Sequence, residues 1–143
     1  MAGSEQPDVV TEEDNQCRLR RTVMKVKTLE DIQPEQLGQG VRLRQVISGQ
    51  DGADNFYMRV FDVDADAKGP PLHKHPYEHE MYIISGRGVL VGENGAIPFK
   101  AGDAIFIRPN EEHQLIQEGS LRFICLIPAD KSGDPVKPVC CAM

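Results

Sequence analysis

The chain has 143 residues and a mass of 15.9 kDa, with 40% hydrophobic and 27% charged residues. That size and balance suit one folded domain, and they exclude a second full domain and a largely disordered chain. Sixteen lysines and arginines stand against 22 acidic residues, a formal charge of −6, so we expect no nucleic-acid partner. Because no apolar run could span a bilayer and residues 1–11 lack the layout of a secretory signal, we expect no membrane association and a cytoplasmic location.

The chain divides by composition into three parts. Residues 1–20 are polar and acidic without sustained periodicity, which predicts a flexible N-terminal arm. Residues 21–129 carry short apolar runs separated by turn residues, so we expect the folded domain there. Residues 130–143 contain Pro135 and Pro138 and are expected to form a C-terminal tail.

Within the folded part, β-branched and aromatic runs alternate with Gly, Pro and Asn, which predicts an all-β domain. The expected strands are Val23 to Val26, Val41 to Ile47, Phe56 to Val63, Met81 to Ile84, Val89 to Val91, Ile105 to Ile107 and Leu121 to Ile127. Helix should be minor, with one turn near Thr28 to Leu37 that Pro34 keeps short.

One hairpin is indicated directly. Asn94-Gly95 lies between Val89 to Val91 and the run Ile97-Pro98-Phe99, and Asn-Gly is the strongest short hairpin signal. About eight short strands at this spacing predict a sandwich, a jelly roll or a small barrel.

The four cysteines, Cys17, Cys125, Cys140 and Cys141, show neither a Cys-x-x-Cys spacing nor a regular disulfide framework. This fits thiols kept reduced inside a cell. We expect Cys125 to be a small core hydrophobe because Ile124 and Leu126 flank it. The adjacent Cys140 and Cys141 are expected to lie in an ordinary tail rather than in a thiol or metal site.

Three of the four histidines fall within seven residues, His73, His75 and His79, and the fourth, His113, follows the next hairpin. Residues two apart on a strand share a face, so His73 and His75 should project together. If a bend follows Pro76, His79 can begin the next strand on the inward face, and all four rings could converge. Neutral imidazole is the commonest side-chain ligand of transition metals, so the cluster predicts a divalent metal site.

These motifs resemble those of the cupin family. Gly69 to Gly86 resembles the first cupin motif, G-x5-H-x-H-x3-4-E-x6-G, and Gly102 to Gln117 resembles the second, G-x5-P-x-G-x2-H-x3-N. His73, His75 and His113 fall on the family's three metal-binding histidines. The resemblance implies an all-β double-stranded β-helix, or jelly-roll barrel, with a metal inside.

The departures from the motifs bear on the fourth ligand. Arg108, Asn110 and Gln117 replace the usual Pro, Gly and Asn of the second motif. His79 stands where the first motif usually has its carboxylate ligand, which resembles the four-histidine cupin subgroup and implies manganese, with iron, nickel, copper or zinc as alternatives. The competing assignment makes Glu80 the fourth ligand, and this would require a bulge or a shift of register.

Two functional hypotheses follow. The first is a metal-dependent enzyme acting on a small molecule, with oxygen- or peroxide-dependent oxidation ranked ahead of isomerase or lyase chemistry. Candidates for a catalytic role are Tyr57, Arg59 and Glu80, although alternation does not decide which of them face the cavity. The second hypothesis is a non-catalytic protein that binds or senses a small molecule.

We also expect a homodimer. An N-terminal segment such as Val23 to Val26 can extend the sheet of a neighbouring copy and cover its exposed edge.

Overall fold

The structure is a computed structural model that describes residues 11–13 and 24–129. The expected arm and tail lie outside these residues, apart from residues 11–13, and so do Cys17, Cys140 and Cys141. Seven strands are present in the described part of the chain. They are β1 (Glu35–Gln36), β2 (Val41–Ile47), β3 (Phe56–Val63), β4 (His79–Gly92), β5 (Gly95–Lys100), β6 (Ala104–Ile107) and β7 (His113–Pro128).

All the strand pairings are antiparallel, and they join the seven strands into one sheet. The strands follow the order β1-β2-β3-β7-β4-β5, with β6 also paired to β4. Between residues 24 and 129, helix is limited to two 3-10 turns, Leu29–Asp31 and Gly49–Asp51. The expectation of an all-β domain with little helix is therefore confirmed. No helix among the described residues is long and apolar enough to cross a membrane.

Strands β4 and β7 are longer than the sequence indicates, and β7 begins at His113 rather than at Leu121. The runs Met81 to Ile84 and Val89 to Val91 belong to the single strand β4, which bends through irregular pairing on both sides of Ser85. Gly86 permits this bend, because its φ is 92° and an added Cβ would lie 2.3 Å from the carbonyl oxygen of Ser120. The sequence suggests a break at this point, whereas the strand continues through the irregularity.

The prediction of a strand at Val23 to Val26 is wrong for the described residues, because no strand is present from Met24 to Thr28. The turn expected near Thr28 to Leu37 is confirmed as the 3-10 turn Leu29–Asp31. The Asn94-Gly95 hairpin is also confirmed, since Gly92 and Gly95 pair across it.

The core lies between the inward faces of β2, β3, β4 and β7. Alternate residues of β4 are buried, starting with His79, Met81 and Ile83, as the period of a strand requires. The rings of Phe61 and Phe123 stack with centroids 5.0 Å apart in the middle of the core. This packing fixes β3, β4 and β7 relative to one another, and the histidines lie where β4 and β7 begin.

Candidate metal centre and adjoining cavity

Two of the histidines lie on strands. His79 is the first residue of β4, pairs with Ile107 and is only 1% exposed. His113 is the first residue of β7 and is also buried. The expectation that His79 begins a strand on the inward face with Met81 and Ile83 is confirmed by the alternating burial.

The other two histidines lie in the loop before β4 rather than on a regular strand. The backbones of His73 and His113 exchange two hydrogen bonds, 3.1 and 2.8 Å long, in an isolated bridge. The backbone N–H of Asn110 donates to the carbonyl of His75. Asn110 has a φ of 62°, a left-handed conformation that Asn tolerates better than most residues. These backbone contacts hold the loop against the start of β7.

The four rings form one cluster. Ring centroids lie 4.5 Å apart for His73 and His113, 4.7 Å for His73 and His75, 4.7 Å for His75 and His79, and 5.6 Å for His79 and His113. One ligand nitrogen from each of His73, His75 and His113 falls within 4.8 Å of the others. That spacing could hold a single ion, and His79 borders this trio.

Hydrogen bonds to backbone carbonyls orient two of the rings. The Nδ1 of His73 lies 2.7 Å from the carbonyl of Pro71, and the Nδ1 of His113 lies 2.8 Å from that of Glu111. Because a carbonyl oxygen can only accept, each Nδ1 carries a proton, and in the neutral ring Nε2 then keeps a lone pair. Metal-binding histidines are commonly oriented in this way.

His75 provides the test of whether the cluster suits a metal. Its Nε2 is buried and has no hydrogen-bond partner among the described residues. The ring stacks on Tyr77 with centroids 5.2 Å apart, which fixes its plane. A buried polar atom without a partner is costly. A bound cation would satisfy this nitrogen, so the donor set fits a divalent transition metal.

His79 is held from behind by a contact that the sequence did not indicate. Its Nδ1 lies 3.3 Å from the Sγ of Cys125, and that sulfur accepts a hydrogen bond of 3.1 Å from Nη2 of Arg59. Arg59 is fully buried, and its guanidinium lies 5.2 Å from the centre of the Phe61 ring. Cys125 is buried as expected, but it also links the guanidinium of Arg59 to His79, a candidate metal ligand.

A cavity adjoins the histidines on the inner side of the sheet. Its empty volume, counting the open mouth, is about 620 Å³. Its polar lining comes from Arg59, His73, His79, Gln117 and Cys125, and the remaining walls are mostly apolar. These apolar residues are Val41, Phe61, Val63, Pro70, Met81, Leu115, Leu121 and Phe123.

The catalytic candidates separate clearly in the structure. Arg59 lines the cavity, whereas Tyr57 is buried two residues away on β3 and is not among the lining residues. Glu80 is exposed on the opposite face of β4 from His79. The structure therefore does not bring Glu80 to the histidines, either as a ligand or as a catalytic group, because neighbouring residues of a regular strand point to opposite faces.

Gln117 is a further cavity residue whose role the sequence did not indicate. Its amide nitrogen donates to the carbonyls of Asp64 and Ala67, over 3.1 and 2.7 Å. It thereby ties β7 to the connection that leads toward the two loop histidines. From the sequence, Gln117 stood out only because it replaces the Asn of the second motif.

Comparison with known proteins supports the resemblance seen in the motifs. Residues 59–127 match the family model described as Cupin domain. An uncharacterised protein of Methanocaldococcus jannaschii is 31% identical over 94 residues, which span 62% of this chain and 65% of that protein. The match thus spans slightly less than two thirds of the curated relative's length.

Solved structures share the fold. The polyketide cyclase RemF from Streptomyces resistomycificus is 28% identical, with a TM-score of 0.65 over 76% of this chain and 81% of that one. A predicted oxalate decarboxylase from Thermotoga maritima is 22% identical, with a TM-score of 0.64 over 74% of this chain and all of that one. The fold is an all-β cupin jelly roll, and the family match and these structures support a relationship to the cupin superfamily.

Proposed function

We propose that this protein is a metal-dependent cupin enzyme that acts on a small molecule, with His73, His75, His79 and His113 as the metal ligands. The observation that carries the proposal is the buried Nε2 of His75, placed among imidazoles whose own Nδ1 protons are engaged elsewhere. When bound, a divalent ion would supply Lewis acidity toward a carbonyl or carboxylate oxygen. Manganese is the proposed ion from the motif resemblance, although imidazole also suits iron, nickel, copper and zinc.

The chain's own residues define the substrate class. The apolar walls exclude water and favour a substrate with a hydrocarbon or aromatic body. The buried guanidinium of Arg59 adds positive charge to the same cavity, beside the ring of His79. A small, mostly apolar molecule with an anionic or carbonyl oxygen fits both features.

Two observations favour non-oxidative chemistry, such as isomerisation, elimination or cyclisation, over the oxidation expected first from the sequence. The thioether of Met81 and the thiol of Cys125 line the cavity and would be exposed to oxidants produced there. RemF, with 28% identity, is described as a polyketide cyclase. Oxidation is the second candidate, because an all-imidazole donor set also suits the redox-active ions of iron, copper and manganese.

The first test is metal content per chain, measured by elemental analysis on protein purified without a nickel column. We expect near-stoichiometric metal in the parent, a loss in His79→Ala, and no change in Glu80→Ala, which alters the next residue on the same strand but faces outward. Unchanged metal in His79→Ala would reduce the site to three ligands. A metal-free parent would refute the metal-dependent enzyme and favour a protein that only binds or senses small molecules.

The second test separates the reaction classes on metal-loaded protein. Oxygen uptake with a panel of small aromatic and carboxylate substrates should be absent, while product analysis under anaerobic conditions should detect turnover. Turnover that requires oxygen would instead support oxidation. We also propose a cytoplasmic location, which the absence of a regular disulfide spacing among the four cysteines of the sequence fits.

A further inference from the structure

Three consecutive cross-strand pairs line the cavity along one wall, on the neighbouring strands β3 and β7. Successive pairs lie two residues apart on each strand, so their side chains share the inner face of the sheet. The wall changes from polar to aromatic to aliphatic in one direction, away from His79. In that order, the pairs are Arg59 with Cys125, Phe61 with Phe123, and Val63 with Leu121.

Both ends of this wall are closed. At the polar end, Arg59 and Cys125 are 0% and 1% exposed. At the aliphatic end, Val41 pairs with Val63, and Val41 and Leu121 are 6% and 3% exposed. A ligand with one polar and one apolar end can therefore lie along the wall in only one orientation, and its length is limited.

The separation of the two ends sets that limit. From Arg59 to Val63 the strand advances by four residues, which is about 13 Å at about 3.3 Å per residue. With carbon–carbon bonds of about 1.5 Å in a zigzag, an extended chain of about ten carbons spans this distance. The stacked rings of Phe61 and Phe123 lie midway and offer an apolar surface to its body.

We propose that the cavity selects its ligand by length. The ligand is a carboxylic acid whose carboxylate lies at Arg59 and whose unbranched or flat apolar body reaches no further than Val63 and Leu121. A guanidinium is a fixed cation whose planar fork matches a carboxylate. The inference rests on the proposed function for a small-molecule ligand and narrows its class, whereas the length limit follows from the strand pairs.

The first experiment uses calorimetry on the full chain, as purified and again after chelation of its metal. The probes are straight-chain carboxylates of about four to about fourteen carbons, which bracket the expected limit. Each added methylene group should tighten binding about fourfold, the effect of burying one CH₂ group. The gain should stop at about ten carbons, where the chain reaches Val63. Straight-chain alcohols of equal length should bind about 10- to 100-fold more weakly, because they lack the charge that pairs with Arg59.

Two variants should move the length limit in opposite directions. Val63→Phe fills the aliphatic end and should shorten the limit by up to about five carbons, the distance between successive pairs, while the shortest acids bind as they do to the parent. Leu121→Ala opens the same end and should lengthen the limit. Val91→Phe is the matched control, because Val91 is also a half-buried strand valine but does not line the cavity. It should keep the limit of the parent.

Affinity that keeps rising well beyond about ten carbons would overturn the proposal, and so would an equal shift of the limit in Val63→Phe and Val91→Phe. Alcohols that bind as tightly as the acids, or acids that do not bind at any length, would also refute it. Because the limit is measured with and without metal, failure of the proposed metal-dependent function would leave the limit in place. A protein that holds its metal but shows no limit would refute this inference alone.

Discussion

Replacing Cys125 by Ala tests whether the contact between Cys125 and the Nδ1 of His79 matters to the metal centre. The substitution removes the sulfur that lies 3.3 Å from the Nδ1 of His79 and 3.1 Å from Nη2 of Arg59. The methyl group of Ala can neither accept the hydrogen bond from Arg59 nor orient the imidazole. We therefore expect the variant to fold but to hold its fourth ligand less rigidly.

The expected magnitude follows from these two contacts. Loss of a partner behind a metal-binding histidine typically lowers metal affinity by about 10- to 100-fold, which corresponds to roughly 1.4–2.8 kcal/mol. The free energy of unfolding of the metal-free protein should fall by about 1–3 kcal/mol, because a buried donor loses its acceptor. Cys125→Ser keeps an acceptor atom in nearly the same place and should lose less affinity.

The assay is competition for the metal with a chelator of known affinity, alongside denaturant unfolding of the metal-free proteins. Ile127→Val is the matched control, because Ile127 is buried two residues further along the same face of β7 and does not line the cavity. It should lose about 0.5–1.5 kcal/mol of stability with unchanged metal affinity. Parent-like affinity in Cys125→Ala, or an equal loss of affinity in Ile127→Val, would refute the role assigned to the sulfur.

Two further predictions concern the fold itself. Gly88→Ala should lower the free energy of unfolding by about 1–3 kcal/mol, because the new Cβ would lie 2.3 Å from the carbonyl oxygen of Ile116; Gly92→Ala, whose nearest neighbour is at 3.6 Å, should change it by less than about 0.5 kcal/mol in the same denaturant titration. Burial raises the pKa of Asp51, but the backbone hydrogen bond from Ser48 and the ion pairs with lysine outweigh it and hold the pKa below the ordinary 3.8. The charged carboxylate of Asp51 therefore stabilises the fold above pH 3.8, and Asp51→Asn should be less stable than the parent near neutrality. In acid-unfolding curves, the difference in stability should vanish as the pH falls through the folded-state pKa. A difference that persists at pH 2 would contradict this reasoning.

Local chemistry was sufficient to predict most of the strands. β2 and β3 coincide with apolar runs bounded by turn residues, and the Asn94-Gly95 hairpin follows from a dipeptide that adopts the required turn without strain. The strand expected at Val23 to Val26 illustrates what local chemistry omits. Its alternation is real, but a strand also needs a partner, and Met24 to Lys27 has none within the described part of this chain.

The histidines of the site were predictable, whereas the residues behind them were not. His79 on an inward face follows from the period of a strand, and the same period places Glu80 outside. Cys125 meets Arg59 only because β7 pairs with β3 in a register that sets these two residues opposite each other. Cys125 also pairs with Met81 of β4, the strand on the other side of β7. Register between distant strands depends on the whole sheet, and no motif in either segment records it.

The two pairs of histidines are held in different ways, and this bears on how the site could respond to a ligand. His79 and His113 begin long strands that pair with each other along most of their length. His73 and His75 depend on a loop that is fastened by the backbone of His113, by Asn110 and by the amide of Gln117 further along β7. The positions of His73, His75 and His113 thus depend on β7 or on the turn before it. A substrate that shifts this loop would move His73 and His75 relative to His79 and His113. A substitution at Gln117 would therefore change the geometry of the site without replacing any of the four histidines.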